Sequence, residues 1–228
     1  MRARVRKSGD AGFSLVELMV ALGVFGLLMT LVVSLVISTV RGLNDQRAGM
    51  ENSRVASTSM NELTRVIRAG TEIPVYGVAD NDPVFVYAGA ERLVLNAFID
   101  AGTAADPPPV RVEFARNAAN ELVETRWYAY HVHTTYWAFN ATSAFSRTVA
   151  RSLLPVDAAV PVFTYWDKNE SQLVPPAGGT LTTAQIRNVA SVKVTLRVQT
   201  DGSGRVAPVM IQNEVGMPNL GIARVEVD

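Results

Sequence analysis

Between Phe13 and Val40 the chain runs 28 residues with a single charge, Glu17. As a helix this run is roughly 42 Å long at about 1.5 Å per residue, longer than the roughly 30 Å hydrocarbon core of a bilayer. Arg2, Arg4, Arg6 and Lys7 precede it. Basic residues stay on the cytoplasmic side, so the amino end is expected inside and the remainder exported. A secretory signal fits poorly, because its apolar core is about 7 to 15 residues and ends in a small-residue cleavage pattern. No such pattern closes this run before Arg41. A plain uncleaved anchor leaves Glu17 unexplained, since a carboxylate within a membrane helix is costly unless paired, protonated or snorkelling to the interface.

The remaining composition narrows the classes. Lysine plus arginine and aspartate plus glutamate each number 21, so the formal charge is zero. This argues against a protein whose main work is gripping nucleic acid. Cysteine is absent, which removes disulfides, thiolate metal sites and a cysteine nucleophile.

The window Gly12-Phe13-Ser14-Leu15-Val16-Glu17-Leu18-Met19-Val20-Ala21-Leu22 resembles the processing signature of type IV prepilins and of the pseudopilins of type II secretion. The resemblance covers about the first 30 residues. It implies that a membrane-embedded prepilin peptidase cuts between Gly12 and Phe13 and methylates the new amine, making Phe13 N-methylphenylalanine. Glu17 then stands fifth in the mature chain, where the family places its glutamate. Cutting there removes four basic residues and one acidic one, leaving 17 basic against 20 acidic side chains. Glu17 lies about one helical turn from the new amine. Opposite charges about 4 Å apart attract by roughly 4 kcal/mol at an effective dielectric of 20. The pair can form within a chain or between neighbours, and the resemblance favours the second.

The resemblance implies an α+β, type IV pilin-like fold, with one long amino-terminal helix packed on an antiparallel β domain. The expected divisions are a cytoplasmic leader at 1–12, a transmembrane and assembly half-helix at 13–40, an amphipathic half-helix at 41–70 and an exported β-rich domain at 71–228. No proline occurs between Phe13 and Ile73, so one helix is expected from Phe13 to about Ala69, roughly 85 Å long. Ala56, Met60, Leu63 and Ile67 share a face, while Arg47, Arg54 and Arg65 lie opposite. Glu51 and Glu62 nearby give that arginine row mixed sign, as a solvated face would have; subunit contact and DNA phosphates are the other readings. Gly70 and Pro74 mark the stop.

Beyond Pro74 the pattern is strand-like. Val192, Val194, Leu196 and Val198 alternate with Lys193, Thr195, Arg197 and Gln199, a half-buried strand over Ser191 to Thr200. Asp201-Gly202-Ser203-Gly204 reads as a turn, and Val206 to Val215 as the returning strand, with Pro208 marking an edge or bulge. Further strands are expected at Val84 to Tyr87, Arg92 to Ile99, Val110 to Ala115, Glu121 to Val132, Val162 to Trp166 and Ile222 to Val227. Loops are expected around Asp106-Pro107-Pro108-Pro109 and Pro175-Pro176, and a helical turn over Thr182 to Asn188. The stretch Val162 to Asp167, a loop, then Ile186 to Val194 is similar to the J or W class of minor pilins.

Enzymatic signals are thin. His131 and His133 share a strand face, as two metal ligands would, but no third ligand is identifiable beside Tyr128, Tyr130 and Tyr136. No G-x-S-x-G motif supports a hydrolase. Asp167-Lys168-Asn169-Glu170 resembles part of a calcium loop, and calcium occurs in some secretion pseudopilins, yet the glycine and terminal glutamate of an EF-hand are missing. A turn is the simpler reading. No catalytic residue, cofactor or metal is expected.

The reading is therefore a minor pilin or pseudopilin that initiates or caps a type IV pilus or type II secretion pseudopilus. It implies prepilin peptidase, other minor and major pilins or pseudopilins, and an inner-membrane assembly platform as partners. It also implies a single-pass membrane stage before the filament. A membrane-anchored extracytoplasmic binding protein that never polymerises, and a DNA-uptake minor pilin, are the alternatives.

Overall fold

The computed structural model describes residues 14–77, 80–99, 107–132, 136–202 and 204–217. The leader 1–12, Gly12 and Phe13 of the cleavage window, Asp106, His133 and the strand expected at Ile222 to Val227 lie outside them. The chain divides into two units, Met1–Arg47 and Ala48–Asp228. Helix α1, Leu15–Arg68, begins in the first and ends in the second.

In the second unit, Ala56, Met60, Leu63 and Ile67 are all buried, as their 4-3-4 spacing predicts. Arg54 and Arg65 on the far side are paired along the helix to Glu51 and Glu62. Gly70 follows the helix, its amide donating to the Ile67 carbonyl at 3.0 Å. The glycine is required by close approach: an added Cβ would lie 2.7 Å from Val84 Cγ1 and 2.9 Å from the Ile67 carbonyl oxygen.

Two antiparallel sheets meet this helix. The first contains β1 (Phe85–Ala88), β2 (Arg92–Ala97), β3 (Val110–Arg116), β4 (Leu122–Val132), β5 (Tyr136–Phe139) and β6 (Phe145–Ala150). They run β1-β2-β3-β4-β5, and β6 also pairs with β4. The long β4 shares its second edge between β6 at 122–126 and β5 at 129–132. The second sheet holds β7 (Phe163–Asp167), β8 (Gln172–Leu173), β9 (Val189–Val198) and β10 (Val209–Gly216), in the order β10-β9-β7-β8. A short helix, α2 (Thr183–Arg187), precedes β9 with Thr182 and Gln185 forming a reciprocal cap. Both sheets contribute to one core, with Leu93, Leu95 and Phe114 from the first and Phe163, Val194 and Leu196 from the second. Tyr165 is buried there and donates its hydroxyl to the Gly89 carbonyl at 2.7 Å. Burial pushes this phenol well above its ordinary range, so it stays protonated.

The expected α+β plan holds, with differences in detail. β9 stops at Val198 because the next amides turn to other partners: Gln199 donates to the Ser152 carbonyl, and Thr200 to Asn52 Oδ1. Thr195 faces the polar side by alternation yet is buried, with Gln212 of β10 donating to its hydroxyl. Pro208 stands just before β10, which is an edge strand. Strands β5, β6 and β8 were not expected. β5 and β8 are too short for a period to register, and β6 is exposed over half its length, so it lacks an alternating apolar signature.

A cluster of charges joins α1 to the first sheet. Glu124, with no exposed side-chain surface, accepts Arg126 Nε at 2.6 Å and Arg147 Nε at 2.7 Å. Glu62 of α1 pairs with Arg147 and lies 3.5 Å from Arg126 Nη2. Removing one member of a fully buried pair costs about 3–5 kcal/mol, and here Glu62 still faces both arginines and Arg147 is partly exposed, so the cost falls below that range. Glu124→Ala should therefore lower the urea midpoint of the full chain in micelles by a corresponding amount, with a smaller loss for Glu124→Gln.

The hydrogen bond from Arg65, with Arg147 nearby, holds the Glu62 carboxyl below its ordinary value of 4.5. A depressed folded pKa means the contribution is complete above pH 4.5 and is lost as pH falls through the lowered value. Chemical unfolding followed from pH 6 to pH 3 should show this acid-side loss, and Glu62→Gln should flatten it.

Candidate functional site

Helix α1 starts with a reciprocal cap. The Glu17 amide donates to Ser14 Oγ at 3.1 Å, and the Ser14 amide donates to Glu17 Oε2 at 3.0 Å. The Ser14 carbonyl accepts the first helical bond, from the Leu18 amide at 3.1 Å. Ser14 is thus the N-cap and Glu17 the third helical residue, so two of the otherwise unpaired amides at the helix start find acceptors. The carboxylate also lies at the positive end of the helix dipole. The spacing Ser-x-x-Glu before an apolar run announces this cap, a role of Glu17 distinct from the expected pairing with the Phe13 amine.

Behind the cap, the side chains from Leu15 to Val40 face outward all round, and none of the most apolar stretch is buried within the protein. Thr30 and Thr39 donate their hydroxyls to the Gly26 and Leu35 carbonyls, each at 2.9 Å. These polar groups are satisfied without water, as an apolar solvent demands. The helix is long and apolar enough to cross a membrane by length and composition. Sixteen leucine, valine, isoleucine and phenylalanine side chains lie between Leu15 and Val40. At roughly 0.3–0.6 kcal/mol each they favour insertion by about 5–10 kcal/mol, against about 2.5–3.5 kcal/mol for a charge at the helix centre. Glu17 is near the end of the run, where the penalty is smaller.

Among the described residues, the other sequence candidates occupy ordinary structural positions. His131 stacks on Trp137, with ring centres 3.8 Å apart and planes at 30°. Among the described residues no group of three or more histidine, aspartate and glutamate side chains could hold a metal ion. Asp167 Oδ1 accepts the amides of Asn169 and Ser171 at 2.8 and 2.9 Å, and Glu170 adopts a left-handed conformation. The Asp167–Glu170 segment is therefore the turn between β7 and β8. Gly204, at φ +72°, belongs to the turn before β10.

One feature escaped the sequence reading. A groove of about 470 Å³ crosses the outer face of the first sheet, lined by Tyr87, Arg92, Arg111, Glu113, Trp127 and Phe139 among others. These residues come from five strands, β1 to β5, and only the pairing register brings them together. Burial pulls the Arg111 guanidinium below its ordinary range, while the Asp82 carboxylate opposes that shift.

Comparison with known proteins bears on the helix start. The family model for the prokaryotic N-terminal methylation motif matches residues 7–33. No curated protein and no solved structure matches the chain. The matched stretch contains the Ser14–Glu17 cap and most of the apolar run, and it supports a type IV pilin-like protein.

Losing an N-cap hydroxyl costs about 0.5–2 kcal/mol. Ser14→Ala in the full chain should therefore speed amide exchange at Glu17 by about twofold to thirtyfold in micelles. Ser14→Thr should restore protection.

Proposed function

We propose that this chain is a minor pilin or pseudopilin, cut between Gly12 and Phe13, methylated on Phe13, and assembled through α1 into a type IV pilus or a type II secretion pseudopilus. The observation that carries the reading is the coincidence of the methylation motif at 7–33 with a capped helix whose most apolar stretch is unburied among the described residues. In this reading residues 1–12 are the leader that holds the amino end at the cytoplasmic face. Residues 13–40 are the assembly half, and the exported part is displayed by the rest of the chain. Burying the apolar helix against other pilins supplies the driving force. Glu17 meets the methylated amine of a neighbour and sets the axial register.

A place at or near the tip, in the manner of the J or W class, is favoured by the β-rich unit and by the pairing of β7 with β9 in the segments that carry that resemblance. Prepilin peptidase, other minor and major pilins and an inner-membrane platform are the partners. Transport through DNA capture gains little support, because Arg54 and Arg65 are already paired to carboxylates.

A second reading has its own observation. The Ser14–Glu17 cap is satisfied within one chain, so a membrane-anchored binding protein that never polymerises would also use this glutamate.

Two measurements test the proposal. Mass spectrometry of the membrane-extracted protein, from cells with active prepilin peptidase, should find an amino terminus at N-methylated Phe13. An intact leader would end the pilin reading. Glu17→Ala should leave cleavage near normal while abolishing recovery in sheared filaments and crosslinks to other pilins; unchanged crosslinking would favour the simple anchor.

A further inference from the structure

The outer face of the first sheet carries chemistry away from the helix start on which the proposed processing and assembly rest. Leu93, Leu95, Val112 and Phe114 point into the core, so the alternate residues of β2 and β3 take the opposite face, where Arg92 is exposed and Arg111 and Glu113 are half-buried. On that opposite face the register aligns Tyr87 with Val94 and Glu113, and Arg111 with Trp127, while Val94 and Asn96 are themselves buried. Phe139 and Asn140 border the same groove. Its volume of about 470 Å³ falls within the roughly 300–1,000 Å³ of small-molecule sites.

Charge narrows the ligand. Arg92 Nε lies 2.8 Å from Glu113 Oε1, and Arg111 Nη2 lies 3.0 Å from Asp82 Oδ2. Each cation already has a carboxylate, so an anion such as phosphate would find no uncompensated positive charge. The same guanidiniums lie over aromatic rings, Arg92 at 4.6 Å from the Tyr87 ring centre and Arg111 at 4.1 Å from that of Phe139. Rings and carboxylates together hold these planar donors in fixed directions, which reduces the ordering cost of binding.

Hydrogen-bonding capacity narrows it further. Arg92 commits only its Nε–H, leaving its terminal amino groups without a partner among the described residues. The Trp127 indole N–H and Glu113 Oε2 likewise have none among the described residues. The groove thus offers donors and an acceptor beside aromatic surface, at no net charge. An alkyl chain would strand these polar groups, whereas a ring with an apolar C–H face and a hydroxyl edge satisfies both.

We propose that this groove binds a neutral saccharide, with a sugar ring packed against Trp127 and its hydroxyls bonded to the Arg92 amino groups and the Glu113 carboxylate. The inference stands irrespective of the fate of residues 1–12.

The test uses the full chain in dodecylphosphocholine micelles, which carry no sugar, with the three tryptophans labelled at the indole nitrogen. The probes are chito-oligosaccharide and malto-oligosaccharide. A saturable shift of the Trp127 signal is expected with at least one of them, while Trp166 stays unchanged. Arg92→Ala, at an exposed position outside the core, should weaken that binding about tenfold, or 1.4 kcal/mol. Trp127→Ala should weaken it at least as much. No saturable shift with either saccharide overturns the proposal. So does undiminished binding in the folded Arg92→Ala variant, or an equal Trp127 shift with inorganic phosphate or an uncharged glycine-serine peptide.

Discussion

A helix start leaves its first amides without acceptors inside the helix, and at the head of an apolar run side chains must supply them. In this chain Ser14 and Glu17 meet that constraint between them, each side chain accepting the other's backbone amide. The same demand explains why Thr30 and Thr39 fold their hydroxyls back onto the helix. A charged side chain at the head of an apolar run is thereby turned into part of the helix.

The second unit solves a different problem, that of fixing one helix against two sheets. Apolar contacts at Ala56, Met60, Leu63 and Ile67 supply adhesion without direction. Direction comes from polar side chains of α1, each reaching a different partner. Asn52 accepts from Thr200 just beyond β9, and Ser59 donates to the Val149 carbonyl of β6. Glu62 pairs with Arg147 of β6, and Thr64 accepts from Asn213 of β10. A slip of the helix by one turn would break all four and leave buried polar groups unpaired, so these contacts set its register.

The outer surface of the first sheet shows how function can be built without a motif. Tyr87, Arg92, Arg111, Glu113 and Trp127 come from four strands, and none is near another in sequence in a way that announces a site. Their charges cancel pairwise, so even the net composition of the region gives no signal.

Much was legible in the residues alone. The apolar run, its lone carboxylate, the absence of proline up to Ile73 and the 4-3-4 face determine α1, because helix formation and its burial stripe are local properties. Alternation over Val192 to Val198 determines a strand for the same reason. The Ser14–Glu17 cap was also written in four consecutive residues. Which strand lies beside which was not, since pairing depends on contacts distant in the chain. Neither the division of the β4 edge between β5 and β6 nor the burial of Glu124 beside Arg126 and Arg147 follows from any local pattern. Tertiary structure alone decided these, because a buried charge or an outward groove is defined by what packs against it.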